Sequence, residues 1–277
     1  MIRYEDISTA IQVRHLQVAI SEALTFVAAD GADLAASAMA SRGFDQAPVV
    51  DGGRIVGLVR TRNLCSGVVT VSEAIEDIRS EHLVSADAPV SRALAWLTET
   101  PCLFVLDGRR ITGFFLEADL NKQPARTYFY LLVASLEAGL AQLLRSWAQG
   151  DEARLLEAMP AQMRGRVVAA RDEARSEDVD SDLVAFLYFS DILRLVGGTS
   201  ELRSQLGARS AHDWHGQTSR LVGLRNAVMH PTRDLVGRGA PLARLVETEA
   251  LLRGLLVRIE SLARPDQPKS NSDGRLL

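Results

Sequence analysis

Three residues in the last quarter of the chain have side chains that together could cleave a phosphodiester bond. Arg225, Asn226 and His230 occur in the segment Arg-Asn-Ala-Val-Met-His, and Pro231 follows it directly. An arginine can stabilise the charge that develops on a phosphate, and a histidine can transfer the proton. The same spacing also fits a surface arginine and a helix-capping histidine, so the spacing alone leaves both interpretations open.

The segment around this motif is basic. Residues 203–244 contain seven arginines and two aspartates, whereas residues 1–124 contain 11 Lys+Arg and 16 Asp+Glu. Charged stretches are often only solvated surface, so the basic segment by itself is weak support for an anionic partner. Its coincidence with the Arg-His motif is the stronger argument for such a partner.

The motif is predicted to lie at the end of a helix that runs from near Trp214 to His230. The predicted buried face of this helix consists of Leu221, Leu224 and Val228. A residue before proline disfavours the α conformation, so the helix should end or kink at His230. At about 100° per residue, Asn226 and His230 share one face, whereas Arg225 and His230 are about 140° apart. A second copy of the helix, related by a two-fold axis, would supply the missing convergence.

The first half of the chain contains an internal repeat with an offset of 56 residues. The matching pairs are Asp51 and Asp107, Gly57 and Gly113, and Asn63 and Asp119. Each copy predicts a strand, an Asp-Gly turn, a second strand and the start of a helix, because β-branched runs flank the turn in the first copy and Phe104-Val105-Leu106 precedes it in the second. A helical stretch precedes each copy, and Asp30 and Asp87 are predicted to cap these helices. Matching turns at a fixed offset are a strong structural signal.

Residues 10–121 resemble the cystathionine β-synthase (CBS) domain pair, also called a Bateman module. The resemblance rests on the Pro-Val-Val-Asp and Phe-Val-Leu-Asp strands and on the Gly-x5-Asn/Asp-Leu endings. It implies two repeats packed around a pseudo-two-fold axis, with an adenosine nucleotide (AMP, ADP or ATP) as a regulatory ligand in the clefts. It further implies that Asp119 and Asn63 hold ribose hydroxyls and that Arg60 binds phosphate. Arg60 and Leu116 both depart from the family pattern of Ser or Thr at these positions, so a CBS pair that only dimerises is the alternative.

The second half is predicted to be a helical bundle that begins after Pro124. Its first apolar stripe consists of Leu132, Leu136, Leu140, Leu143 and Trp147. Residues 183–196 are apolar on nearly every side, which predicts a buried helix that ends at Gly197. Asp191 lies within this helix, and we expect it either to have an arginine partner or to face solvent beside Arg194.

Residues 125–264 resemble a HEPN domain (higher eukaryotes and prokaryotes nucleotide-binding). The resemblance rests on a helical bundle with Arg-Asn-x3-His-Pro near the end of its penultimate long helix. Active members of this family are dimers whose paired motifs form a metal-independent endoribonuclease site, whereas other members bind nucleic acid or nucleotides without cutting. The resemblance implies that Arg225 and His230 are the catalytic pair and that Asn226 orients the RNA or the histidine.

Other function classes have little support in the sequence. Cys65 and Cys102 form neither a disulfide framework nor a metal-binding spacing, which favours a reducing cytosol. His212 and His215 lack further ligands, so polarity at a helix start explains them better than a metal does. No phosphate-binding loop, nucleophile elbow or apolar stretch of membrane length is recognisable. We therefore expect a cytoplasmic protein that needs no cofactor for catalysis and has no membrane partner.

These features predict three regions and one leading function. The regions are tandem CBS repeats of α/β fold at 1–123, an all-α HEPN-like bundle at 124–264 and a disordered tail at 265–277. The leading hypothesis is a nucleotide-regulated, metal-independent endoribonuclease whose site lies at a homodimer interface. The alternative is a non-catalytic, ligand-sensing regulator whose helical domain binds RNA or a protein partner.

Overall fold

The structure, a computed structural model, describes residues 3–65, 67–179 and 181–263. The predicted disordered tail at 265–277 lies outside the described residues. The chain forms two compact units, which we call the repeat unit and the helical unit. The repeat unit comprises residues 8–128 and 234–246, and the helical unit comprises 3–7, 129–233 and 247–263. Residues 124–128 and 234–246 therefore belong with the repeats, although the sequence assigned them to the helical region. Residues 3–7 belong with the helical unit, although the sequence assigned them to the repeats.

The repeat unit contains two β-hairpins that follow the predicted strand, turn and strand pattern. The first helices of the chain are α1 (Tyr4–Ala10), α2 (Ala32–Arg42) and α3 (Val90–Glu99). The strands are β1 (Val18–Ala19), β2 (Gln46–Asp51), β3 (Arg54–Arg60), β4 (Ile75–Glu76), β5 (Leu83–Ser85), β6 (Cys102–Asp107) and β7 (Arg110–Leu116). Both hairpins contain an irregularity at equivalent positions, after Val49 in β2 and after Val105 in β6. The α/β character and the internal repeat are thus confirmed.

Each hairpin is extended by a short strand that precedes the other hairpin in the chain. The sheets have the orders β2-β3-β4 and β1-β7-β6-β5, so β4 pairs with β3 and β1 pairs with β7. The repeated glycines explain the close approach of these strands. A Cβ atom at Gly57 would collide with Ile75 and lie 2.8 Å from the Glu76 carbonyl oxygen. A Cβ atom at Gly113 would collide with the Val18 carbonyl oxygen.

The predicted caps of the helices before each hairpin are wrong. Helix α2 begins after Gly31, and the Asp30 carboxylate instead accepts a hydrogen bond from the Val27 N–H at 2.8 Å. Helix α3 begins after Pro89, and Asp87 forms an ion pair with Arg14. Both carboxylates stabilise the loop before the helix rather than the free N–H groups of the first turn.

The second strand of each hairpin leads into a 3-10 helix rather than directly into an α-helix. The described 3-10 helices are Val13–His15, Ile20–Glu22, Thr61–Asn63, Val71–Ala74, Ser80–His82, Glu117–Asn121 and Leu183–Phe186. Asn63 ends the 3-10 helix of the first repeat, and Asp119 lies in the middle of the one in the second repeat. The repeat therefore places these two residues at the same end of their hairpins.

The remaining helices are α4 to α10, and all but parts of the first and last belong to the helical unit. They are α4 (Gln123–Ala148), α5 (Glu152–Ala158), α6 (Ala161–Ser176), α7 (Phe189–Gly198), α8 (Ser200–Gln205), α9 (Ala211–Met229) and α10 (Leu242–Ala263). Helix α4 is long and apolar enough to cross a membrane by length and composition, so the expectation that no stretch has membrane length is wrong here. Its most apolar window is 56% buried within the protein, as in the core helix of a packed bundle.

The prediction of a single buried helix at 183–196 is wrong for the residues before Phe189. The chain forms the 3-10 helix Leu183–Phe186, and α7 begins only at Phe189 and includes Gly197. Helix capping explains this interruption. The Asp191 carboxylate accepts a hydrogen bond from the Tyr188 N–H at 3.0 Å and so fixes the start of α7 directly after Tyr188. Asp191 also pairs with Arg166, which confirms the expected arginine partner.

Candidate functional site

Helix α9 is fixed to the core of the helical unit along one face. Ser210 caps its first turn by accepting a hydrogen bond from the Asp213 N–H at 3.0 Å, so the helix begins slightly before the predicted start at Trp214. The Trp214 indole donates to the Leu193 carbonyl oxygen at 2.7 Å. The predicted apolar face of Leu221, Leu224 and Val228 is buried. The rotation of α9 about its axis is therefore set by its core contacts.

Helix α9 ends at Met229, directly before His230, as the following Pro231 predicts. His230 follows the last helical residue, has an extended backbone (φ −117°, ψ 95°) and is exposed. Its N–H still donates to the Asn226 carbonyl oxygen at 3.1 Å, and Asn226 is half-buried. The His230 side chain is thus open to a partner from outside this helix.

Arg225 and His230 do not line the same cavity. It lines a cavity of about 210 Å³ between α9 and α4. The other residues that line this cavity are Tyr130, Val133, Ala134, Glu137, Val228 and Met229. Neither Asn226 nor His230 contributes to its wall. Within one chain the predicted catalytic pair therefore does not share this cavity, in keeping with the separation of about 140° between the two residues around an ideal helix.

Arg225 has no close anionic partner among the described residues. No hydrogen bond of its guanidinium and no carboxylate within 4.0 Å is found in the described part of the chain. Other arginines of the basic segment are engaged: Arg203 donates to the Gly197 carbonyl oxygen at 2.6 Å, and Arg220 pairs with Glu247 at 2.7 Å. The positive charge available at the cavity is therefore that of Arg225.

Glu137 is a site residue that sequence reasoning missed. Burial raises the pKa of its carboxyl, and the Arg225 charge acts in the opposite direction without cancelling this effect. The only sequence signal is that Glu137 is the sole acidic residue of the 26-residue helix α4. The charge that acts on it belongs to Arg225 on α9, far along the chain, and helical periodicity cannot reveal an effect between two helices.

A second cavity lies between the two hairpins of the repeat unit. Its walls contain equivalent positions of both repeats, namely Gln46 and Cys102, Pro48 and Phe104, and Leu58 and Phe114. The cavity is mostly apolar and has a volume of only about 30 Å³. Ligand pockets typically have about 300–1,000 Å³, so a nucleotide would need this cleft to open.

The two predicted ligand residues of the first repeat converge on one carboxylate. Arg60 donates to Glu76 at 3.0 Å, and Asn63 donates to the other oxygen of Glu76 at 2.7 Å. Burial alone would raise the pKa of Glu76, but these two hydrogen bonds and the charges of Arg60 and Arg62 outweigh it and lower the pKa. Glu76 thus occupies the two polar groups that were predicted from the sequence to bind phosphate and ribose.

The predicted ligand residue of the second repeat is also engaged within the protein. Asp119 is buried, accepts a hydrogen bond from the Leu116 N–H at 2.8 Å and pairs with Lys122 at 2.9 Å. The charges of Asp119 and Arg60 both act on Cys102, so these two predicted residues lie near the same cleft. Burial raises the pKa of the Cys102 thiol to about 12, which indicates a structural thiol rather than a nucleophile.

Within the described residues, no group of three or more His, Cys, Asp or Glu side chains could hold a metal ion.

Part of the chain is similar to solved structures of CBS-domain proteins. A CBS domain-containing protein of unknown function from Bacillus anthracis is 14% identical over 42% of this chain and 94% of that chain, with a TM-score of 0.37. CbpB in complex with c-di-AMP is 16% identical over 42% of this chain and 85% of that chain, with a TM-score of 0.37. CBSX2 from Arabidopsis thaliana is 18% identical over 40% of this chain and 92% of that chain, with a TM-score of 0.36. No protein-family model and no curated protein matches the chain.

Proposed function

We propose that the protein is a ligand-sensing regulator in which the repeat unit responds to an adenosine nucleotide. The supporting observation is the cleft between equivalent strands of the two repeats. The charges of Arg60 and Asp119 both act on Cys102 in its wall, and Asn63 shares the Glu76 carboxylate with Arg60. The adenosine class comes from the resemblance of residues 10–121 to CBS pairs. A guanidinium, an amide and a carboxylate suit the phosphate and the ribose hydroxyls of such a ligand.

The closed state of the cleft supplies a physical route from binding to regulation. A nucleotide has to compete with Glu76 for Arg60 and with Lys122 for Asp119, and the hairpins have to separate to admit it. The ligand therefore binds an open arrangement of the repeats better than the closed one. It can shift the equilibrium between them by no more than this difference in affinity.

Calorimetric titration with AMP, ADP and ATP tests the ligand. Asp119→Asn keeps the size of the side chain and removes the charge that attracts ribose hydroxyls. A hydrogen bond to a charged group contributes roughly 1.5–3 kcal/mol, so affinity should fall about ten- to a hundredfold. Asp51→Asn, on the exposed turn of the first hairpin, is the matched control and should bind as the wild type does. The absence of binding for all three nucleotides would favour a repeat unit that is purely structural.

A second proposal concerns the helical unit, which we infer to be a metal-independent endoribonuclease. The observation that favours it is that Arg225, which has no carboxylate partner among the described residues, and the exposed His230 lie at the same end of α9. A cation and a proton-transferring group are what RNA cleavage by its own 2′-hydroxyl requires.

The reaction proceeds by attack of the ribose 2′-oxygen on the neighbouring phosphorus. The 2′-oxygen loses its proton to a base and forms the new P–O bond, while the P–O5′ bond breaks and O5′ receives a proton. His230 transfers protons in this exchange, and Arg225 stabilises the charge on the pentacoordinate phosphorus. The products are a 2′,3′-cyclic phosphate and a 5′-hydroxyl, and no metal ion is consumed or required.

Incubation of purified protein with mixed RNA in EDTA tests this activity. Loss of a general acid or base typically lowers the rate about 10²–10⁴-fold, so His230→Ala should be nearly inactive. His215→Ala is the matched control, because His215 is exposed on the same helix and distant from its C-terminal end. Full activity of His230→Ala, or products with a 5′-phosphate, would contradict the proposal.

A further inference from the structure

Apolar, aromatic and charged side chains together line the cavity between α4 and α9. Tyr130, Val133, Ala134 and Glu137 are spaced at i, i+3, i+4 and i+7, so they share one face of α4. Arg225, Val228 and Met229 show the same spacing on α9. Tyr130 and Met229 remain 47% and 48% exposed, although they are large apolar side chains. An aromatic ring, a carboxylate and a guanidinium therefore surround one open space of about 210 Å³.

We propose that this cavity is a guanine-nucleotide subsite for single-stranded RNA, in which Arg225 binds a phosphate, Tyr130 stacks on the base and Glu137 selects guanine. The substrate class rests on the proposed ribonuclease function, whereas the roles of the three residues rest on the cavity itself. Stacking on aromatic side chains is the usual way in which proteins hold unpaired bases. Arg225 is free for a phosphate because no described carboxylate lies within 4.0 Å of its guanidinium.

The identity of the base follows from the hydrogen-bonding capacity of Glu137. An ionised carboxylate accepts hydrogen bonds through two oxygen atoms and donates none. Guanine presents two adjacent N–H donors on its Watson–Crick edge, at N1 and N2, and these match the two oxygens. Uracil, cytosine and adenine each present a single donor group on that edge, next to acceptors that a carboxylate repels. Because Arg225 and Glu137 form no direct ion pair, both can contact the nucleotide at once.

Equilibrium binding tests the subsite independently of cleavage. The probes are 5′-labelled 2′-O-methyl oligonucleotides UUGU, UUAU, UUCU and UUUU, which cannot be cut through the 2′-oxygen, and the readout is fluorescence anisotropy. UUGU should bind wild-type protein about tenfold more tightly than UUUU, since a good two-bond contact discriminates between bases by roughly this factor. Glu137→Gln should bind UUUU as the wild type does and lose the preference for UUGU.

Two further variants separate stacking from charge. Tyr130→Ala should weaken binding of all four probes about tenfold, whereas Tyr130→Phe keeps the ring and should bind normally. Arg225→Gln should weaken all four equally and reduce the dependence of affinity on salt. Unchanged binding by Tyr130→Ala, a guanine preference that survives Glu137→Gln, or no binding of any probe overturns the subsite. If natural RNA is not cut but the binding pattern holds, the ribonuclease proposal fails and the subsite stands.

Discussion

At the scale of single residues, two opposing effects act on the pKa of Glu137. Burial raises the pKa of its carboxyl, and the Arg225 charge only partly opposes this. Among the described residues that line the cavity, Glu137 is the one carboxylic acid. Among the cavity residues, Glu137 is therefore the one that changes charge on mild acidification.

This leads to a prediction about the pH dependence of guanine binding. A carboxyl with a raised pKa takes up its proton at a higher pH than an ordinary glutamate, and the protonated form has lost its two-acceptor character. The preference for UUGU over UUUU should therefore weaken as the pH falls towards the raised pKa of Glu137. Anisotropy titrations at a series of pH values measure this. A preference that persists unchanged until well below pH 4.5 would exclude Glu137 as the acceptor.

The sequence reveals residue types but not their partners. Arg225, Asn226 and His230 stand out because a short motif carries them, and Asp119 stands out because the repeat carries it. Glu137 and Glu76 do not stand out, because each faces residues on another element, and periodicity describes only one element at a time. The engagement of Asp119 with Lys122 likewise depends on the 3-10 geometry of this segment, which has no distinct sequence pattern.

At the scale of elements, the two hairpins depend on close strand approach at their repeated glycines. Gly113→Ala would place a methyl group against the backbone of Val18, which cannot move without breaking the pairing of β1 with β7. Overpacking of this kind typically costs about 1–3 kcal/mol of unfolding free energy, and we expect a loss in this range. Urea denaturation measures it.

Gly165→Ala in α6 is the matched control for this substitution. An added Cβ there meets no described heavy atom within 4 Å, and alanine favours a helix over glycine by about 1 kcal/mol. The control should therefore be neutral or slightly stabilising. Equal effects of both substitutions would mean that strand approach is not what requires glycine in the repeat.

The contact between β3 and β4 gives a second prediction at this scale. The pKa of Glu76 is lowered in the folded protein, so its contribution to stability is present above the unfolded value of 4.5 and is lost as the pH falls through the folded value. Glu76→Gln should lower the unfolding free energy at pH 7 by about 0.2–1 kcal/mol, the range of partly exposed ion pairs. The difference between wild type and variant should shrink in acid. A difference that is constant with pH would show that the charge of Glu76 does not matter.

The sequence predicts the long strands well and the short ones not at all. Both hairpins follow from apolar, strand-forming runs around Asp-Gly turns, and these runs are long enough to show a pattern. Strands β1 and β4 have two residues each, so no alternation can identify them. The exchange of these strands between the repeats is a tertiary feature that only the fold reveals.

At the scale of the whole molecule, the sequence separates an α/β half from a helical half but assigns residues 3–7, 124–128 and 234–246 to the other unit, and 234–246 is the longest of these segments. Asn121 holds that segment in the repeat unit, because its side chain accepts hydrogen bonds from the Leu235 and Val236 N–H groups at 2.7 and 3.3 Å. It also donates to the Val236 carbonyl oxygen at 2.9 Å. Leu235 and Val236 are buried, although the glycines and arginines near them in the sequence predict an exposed loop.

The divergence of Arg225 and His230 within one chain leads to a prediction about assembly. If two chains share each site, a mixture of inactive Arg225→Ala and inactive His230→Ala should regain part of the ribonuclease activity, because each mixed dimer retains one complete site. Subunit exchange is verified first with differently tagged chains. No recovery despite exchange would mean that each site is built within one chain or needs all four residues. A monomer at micromolar concentration would discard the shared site.

The path of the chain between the two units has a consequence for its synthesis and for its cleavage by proteases. The chain passes from helical unit to repeat unit and back twice, at residues 7–8, 128–129, 233–234 and 246–247. The repeat unit cannot be completed on the ribosome until residue 246 has emerged, when most of the helical unit already exists. A single cut in any connection leaves both units joined by another stretch of chain. Neither unit is therefore one continuous stretch of chain that a protease could release or degrade by a single cut.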